Sequence, residues 1–350
     1  MPGHCRSEYR SALIDLEERC LKLENSQFLL HGMCYALALL VLNWERVMLN
    51  RALDSHPYDI ARRLIYDALK VVELVGLSSS LAGSVHYPDT RNTMNNMESR
   101  HQALFQELWT AYSREDYRAR IDAYRYRIEI NNLIELINGK SCIDFGCGHG
   151  NFCLALREMG AKQVVGVDFG EKSIDYAKNA AKALGIDNTS FIHSEVYRVN
   201  YQDSSFDFAV QNGVFHHLDD EDSAYLEVYR VLKPGGYFWV YTDGIDSIQG
   251  DIQDSAARIL SRFSHEHVGR VLYSFGLSIG KRYHLGDSFQ ATYRHTSLED
   301  FSHRLGGYGF RVIRRLKGGF KTDTDGEALS DSWATEKFGS GDIRLLLQKI

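Results

Sequence analysis

Between residues 7 and 76 the apolar positions recur at helical spacing: Leu13, Leu16, Leu21 and Leu23, then Leu64, Leu69 and Leu74. Glycine is scarce there and Pro57 is the one proline, so three or four helices are expected, broken near Glu24–Ser26 and Asp54–Tyr58. Ser78 to Thr93, with Gly83 and Pro88, reads as a linker. A second helical stretch, Glu98 to Ile137, carries Tyr112, Tyr117, Tyr124 and Tyr126 interleaved with Arg114, Arg118, Arg120, Arg125 and Arg127. Beyond it the pattern changes to short apolar runs alternating with helical segments. Strands are expected near 141–144, 163–168, 190–193, 206–211 and 236–242, with helices near 150–159, 171–184 and 219–231. That alternation implies a parallel sheet. From Asp246 to Leu277 the period is helical again, with Ile252, Ala256, Ile259, Leu260 and Phe263 on one face, and reads as an insertion after the fifth strand. Gly309–Ile313 and Ile343–Leu347 look like two closing strands.

The most informative run is Ser141-Cys-Ile-Asp-Phe-Gly-Cys-Gly-His-Gly150. An apolar strand ending in Asp144 is followed by glycines at alternate positions, Gly146, Gly148 and Gly150, opening into a helix. Glycine at that spacing turns the chain off a strand end and lets a ligand approach the main chain with no Cβ in the way. The next apolar run, Gln163-Val-Val-Gly-Val, ends in Asp168, placed to accept from ribose hydroxyls at the second strand tip. Glycine turn and acidic strand end together mark a nucleoside-cofactor site. Dinucleotide sites favour G-x-G-x-x-G and set a diphosphate over the helix. Here an acid stands just ahead of the turn; it would repel a diphosphate but can accept from an ammonium group.

Downstream come Ser190-Phe-Ile-His-Ser194-Glu195, then Ser205-Phe-Asp-Phe-Ala-Val-Gln-Asn-Gly-Val-Phe-His-His-Leu218 and Val231-Leu-Lys-Pro-Gly-Gly236. With Asp144-Phe-Gly-Cys-Gly-His-Gly150, this order resembles the class I S-adenosylmethionine-dependent methyltransferases of small-molecule type, continuously from about Lys140 to Tyr241. The resemblance implies an α/β fold, a Rossmann-like doubly wound seven-stranded sheet with a C-terminal antiparallel hairpin, plus an N-terminal all-helical domain. It implies S-adenosylmethionine as cofactor, held by Asp144, Gly146, Cys147, Gly148, Gly150, Asp168, Phe169, Ser194, Glu195 and Gln211. The turn would lie against the cofactor's amino-acid moiety, Asp168 against the ribose, Glu195 near the adenine edge, and Gln211 and Asn212 beside the methyl group.

At 350 residues the chain exceeds this core, so accessory structure is expected: 1–95 as a helical accessory or dimerisation domain, 96–137 as a helical lid, and 138–350 as the cofactor domain with a helical insertion at about 246–290. The net charge of −6 and scattered Lys and Arg disfavour nucleic acid as partner. The richest basic run, Arg311 to Lys321, reads as a solvated strand and loop. Six cysteines, Cys5, Cys20, Cys34, Cys142, Cys147 and Cys153, lack disulfide or metal-site spacing and point to reduced thiols and a cytoplasmic protein. No signal peptide is evident, and the apolar stretch Phe28 to Leu42 falls short of the ~20 residues a membrane span needs. A buried or dimer-forming helix is the reading, with no membrane partner.

A sulfonium donor is already activated, so methyl transfer needs mostly positioning, and a base only when the acceptor arrives protonated. His216 and His217, just past the fourth strand tip, are the candidate bases, with Asn212 beside them; capping of the loop is their competing role. Asp243, Arg294 and His295 are candidate substrate contacts. Tyr126 and Arg127, nearest the sheet, are the preferred lid residues, since a sulfonium is drawn to ring faces. His265 and His267 stand at i and i+2, which do not share a helix face, and no metal is expected. The function expected is methylation of a small molecule, in the manner of secondary metabolism. The alternatives are an S-adenosylmethionine-consuming cyclase or aminocarboxypropyl transferase releasing methylthioadenosine, a non-catalytic protein keeping the fold, and methylation of protein or RNA.

Overall fold

The computed structural model describes residues 2–79, 85–89, 114–319 and 331–350, with only the backbone of 2–4, 279 and 280. The chain divides into two compact units. The first comprises 1–104, 246–293 and 329–339, and the second comprises 105–245, 294–328 and 340–350.

In the first unit, the leucine periodicity becomes three helices, Pro2–Lys22, Gln27–Met48 and Pro57–Ser79, with breaks where the polar clusters predicted them. Ser26 caps the second helix through the amide of Leu29. Trp44, Leu30, Met33 and Val41 of that helix are buried. The insertion supplies Ile248–Leu260, His265–Ser274 and Ile279–Gln290. The expected boundaries differ here: the insertion groups with the N-terminal helices, not with the sheet. Ile252, Ala256 and Ile259 are buried on the helix Ile248–Leu260, which packs on Pro2–Lys22 and Gln27–Met48. The Arg262 guanidinium, buried, donates to the carbonyls of Cys20 and Leu23 at the end of the first helix. Gln27–Met48, at 22 residues, also exceeds the expected Phe28–Leu42 and is long and apolar enough to cross a membrane, although 56% of its most apolar window is buried inside the protein.

The second unit holds a seven-stranded sheet: β1 Ser141–Phe145, β2 Gln163–Asp168, β3 Thr189–His193, β4 Phe206–Asn212, β5 Leu232–Asp243, β6 Phe310–Arg315 and β7 Asp342–Lys349. The strand order is β3-β2-β1-β4-β5-β7-β6, parallel except for β7, which runs antiparallel to both β5 and β6. This is the doubly wound sheet with a terminal hairpin that the sequence predicts. The order reverses between β1 and β4, and in such sheets ligands bind beyond the strand C-termini at that reversal. Helices cover both faces. One core contains Phe152, Val164, Phe208, Trp239, Tyr117, Ile121 and Ile128; the other contains Ile143, Phe145, Ala209, Phe215, Tyr225 and Phe238.

The expected lid lies partly outside the described residues, which resume at Arg114. Its helix Arg114–Ile130 belongs to the second unit and packs on Asn151–Glu158, the helix that follows the glycine turn. In the basic run, Arg314 bonds the Asn131 carbonyl and Arg315 the carbonyls of Ser340 and Asp342, so both cations are spent inside the fold.

Candidate cofactor and catalytic site

Gly146, Gly148 and Gly150 have φ of +74°, +51° and +77°, a conformation that side chains resist. A Cβ on Gly148 would meet nothing within 4 Å, so the backbone there faces open space. The turn is fastened to β2: the Gly146 and Cys147 amides donate to the Val167 carbonyl at 2.8 and 2.9 Å. Asp168, at the β2 tip, accepts from the Gly148 amide on one carboxylate oxygen and from the Gly170 amide on the other, both at 2.8 Å. Burial pushes its carboxyl up, and those two amides pull it back. Phe169 follows directly. Ser194 donates its amide to the Asp168 carbonyl at 2.9 Å, and Glu195 is exposed beside it past the β3 end.

Asp144 is almost fully buried, and burial pushes its carboxyl up to about 7. The Cys153 thiol donates to it at 3.4 Å. The Cys147 and Cys153 sulfurs both pack over Gly166, the β2 partner of Asp144, where a Cβ would come within 2.7 and 2.9 Å of them. No sequence motif flagged Gly166; its place opposite Asp144 in the parallel register is what gives it meaning. His149 stacks on Tyr176 at 4.4 Å, and burial lowers its imidazole to about 4.

At the β4 tip, strand alternation separates two residues read together. Asn212 lies on the Trp239 face: its Oδ1 accepts from the Trp239 indole at 3.2 Å, and its Nδ2 donates to the Tyr124 hydroxyl at 3.5 Å. Gln211 points to the opposite face, is fully buried, and spends its amide on the Tyr241 carbonyl and the Val214 amide. There it braces β4 to β5, on the side opposite Asn212, because successive strand residues face opposite sides.

His216 and His217 are both buried in the 3-10 turn after β4. Their Nε2 atoms are 2.9 Å apart, and His216 Nδ1 lies 3.2 Å from Thr242 Oγ1 and 3.8 Å from Asp243 Oδ2. Asp243 also accepts from the Tyr241 hydroxyl at 2.8 Å. The structure thus joins three expected residues, His216, His217 and Asp243, into one polar chain across the β4 and β5 tips. Arg294 does not extend it as a free substrate contact: its amide donates to the His216 carbonyl and its guanidinium to the Asp219 carbonyl, clamping the turn. His295 is half-buried next to it, and Ser297 caps the following helix, Leu298–Gly307.

The preferred lid residues face elsewhere. Tyr126 is half exposed beside Gly319, and Arg127 donates to the Gly318 carbonyl at 2.5 Å. The residues turned toward the glycine turn are Tyr117, whose hydroxyl donates to the His149 carbonyl at 2.6 Å, and Tyr124, stacked on Phe152 at 4.5 Å. With buried Ile121 and Ile128 they form a stripe at 117, 121, 124 and 128. That helical spacing was readable in the sequence, and Tyr126 and Arg127 fall off it.

His265 and His267 go to different partners, His265 to the Gln290 side chain and His267 to a ring stack on Tyr87 at 3.8 Å.

Residues 137–264 match a family model described as a methyltransferase domain. The demethylmenaquinone methyltransferase of Staphylococcus epidermidis is 29% identical over 136 residues, 38% of this chain and 56% of that protein. A sterol 4-C-methyltransferase of Caenorhabditis elegans is 31% identical over 113 residues, 32% of this chain and 34% of that protein. The chain thus spans little over half the length of the first and a third of the second. A solved S-adenosylmethionine-dependent methyltransferase from Mesorhizobium loti superposes with a TM-score of 0.42 at 18% identity, over 64% of this chain and 98% of that one. Residues 137–264 are thus similar to the methyltransferase-domain family. S-adenosylmethionine is the cofactor of that family.

Proposed function

We propose that this protein transfers the methyl group of S-adenosylmethionine to a small organic acceptor. The observation that carries the reading is the coupling of turn and acid: Gly148 presents bare backbone to open space, and its amide is fixed by the carboxylate of Asp168. Each Asp168 oxygen takes one amide and keeps a lone pair, which suits two ribose hydroxyls. The set Asp144, Gly146, Cys147, Gly148, Gly150, Asp168, Phe169, Ser194 and Glu195 therefore fits a nucleoside bearing an amino-acid arm. When bound, the sulfonium supplies an electrophilic methyl needing no further activation.

The chain's residues then have three tasks. Asp144 accepts from the ammonium end, and Asp168 fixes the ribose. Asn212, oriented by Trp239 and Tyr124, holds the β4 tip beside the reacting groups. Where the acceptor carries a proton, the chain His217–His216–Asp243 is the proposed route for its removal, one imidazole taking the proton and Asp243 stabilising the cation. Demethylmenaquinone and sterols, named in the matched relatives, support a small-molecule acceptor. A cytoplasmic setting, a dimer through the N-terminal helices, a role in secondary metabolism, and independence of nucleic acid and membranes belong to the same proposal.

The test is mass spectrometry of the protein incubated with S-adenosylmethionine, alone and with a small-metabolite extract of its host. S-adenosylhomocysteine formed only with extract supports the reading. Methylthioadenosine formed from the cofactor alone overturns it in favour of cyclisation.

A further inference from the structure

The helix Arg114–Ile130 reaches the glycine turn through one phenol. Tyr117 is buried, and its hydroxyl donates to the backbone carbonyl of His149 at 2.6 Å. His149 is the residue between Gly148 and Gly150, both in left-handed conformations that glycine adopts without steric cost. Its ring is held separately by Tyr176, whose own ring lies 5.4 Å from that of Tyr117. One residue earlier, Asp168 fixes the Gly148 amide. The glycine segment, whose Gly150 amide donates to the Cys147 carbonyl at 2.8 Å, is thus also tied on two sides, by the carboxylate at Gly148 and by the phenol at His149.

We infer that Tyr117 is a positioning residue for the cofactor: it sets the stretch of main chain that receives the amino-acid arm, acting through the His149 carbonyl and not on the ligand itself. The inference rests on the cofactor reading above. It separates two parts of the ligand. Asp168 serves the ribose whether or not Tyr117 is in place, since its own carboxylate does the binding. The main chain at 148–150 serves the arm, and that is what Tyr117 orders.

The experiment is calorimetric titration of wild type, Tyr117→Phe and Tyr229→Phe with S-adenosylhomocysteine, which has the amino-acid arm, and with methylthioadenosine, which lacks it. Tyr117→Phe keeps the ring packing and deletes one buried hydrogen bond, so binding of S-adenosylhomocysteine weakens about five- to tenfold while methylthioadenosine binds as before. Tyr229→Phe deletes a phenol–carbonyl bond away from the site, to Ile350 at 3.2 Å at the chain end, and changes neither affinity. Equal weakening of both ligands in Tyr117→Phe reduces the residue to general packing and overturns the inference, as does unchanged binding of both. Wild type that binds neither nucleoside overturns the cofactor reading and this inference with it.

Discussion

The Cys153 thiol donates to the carboxyl of Asp144 at 3.4 Å, inside the turn that opens the cofactor site. The carboxyl is raised to about 7 chiefly by burial, helped by the nearby Asp168 charge and opposed by the thiol. The folded state therefore keeps this proton well above the value of about 4 at which an unfolded chain loses it. The group's contribution to stability is complete below that lower value and is lost as pH rises through 7. The melting temperature of wild type should fall between pH 5 and 8 more steeply than that of Asp144→Asn. A cationic ligand favours the ionised carboxylate, so cofactor affinity should rise over the same window in wild type only. Parallel profiles for the two proteins would remove Asp144 from this role.

Gly166 admits no side chain. A Cβ there would stand 2.7 Å from the Cys147 sulfur and 2.9 Å from that of Cys153. Gly166→Ala should destabilise the protein by about 1–3 kcal/mol through overpacking and displace the turn. Adding Cys153→Ala makes room and should recover part of the loss. Thermal denaturation of the single and double variants checks this, and an undisturbed Gly166→Ala would contradict the packing.

The pair His216 and His217 offers a kinetic test. If one imidazole takes a proton from the acceptor, His217→Ala should lower S-adenosylhomocysteine release with extract by about a hundredfold, and Asp243→Asn by less. Cofactor binding should be unaffected by either change. Full turnover in His217→Ala would leave the pair as a tie between the β4 and β5 tips.

In the helical unit, Lys337 is completely buried, with Nζ donating to Asp331 at 2.9 Å and to the Asn50 carbonyl at 2.7 Å. Lys337→Ala removes the cation from the Asp331 carboxylate, which keeps the Trp333 amide at 2.7 Å, and should cost about 3 kcal/mol. Replacing both, Lys337→Met with Asp331→Leu, should cost less than the single change. Denaturant titration of the two variants measures the difference.

The sheet was legible because its signal is local: the period switches from helical to strand-length runs at Ser141, and each expected strand has its counterpart. Asp144, the glycines and Asp168 were legible for the same reason, since they sit at strand ends and turns. Long-range partnership was not. The stripe Ile252, Ala256, Ile259 announces a buried face without saying that it packs on the N-terminal helices. Gln211 and Asn212 are neighbours in sequence, and only the alternation of β4 about Trp239 shows that Asn212 alone shares the Tyr124 face. Closeness to the first strand recommended Tyr126, whereas the face of the helix decides, and it presents Tyr117 and Tyr124. Buried polar ties such as Arg262 to Cys20 bridge positions too far apart in sequence for any pattern to reveal.

The most direct measurement is titration of S-adenosylmethionine into wild type and Asp168→Ala by calorimetry, with circular dichroism confirming that both are folded. One site per chain in wild type, weakened about a hundredfold or more by the loss of two charge-assisted acceptors, is the predicted result. Equal affinity in a folded Asp168→Ala variant would contradict the placement of the cofactor at this strand tip.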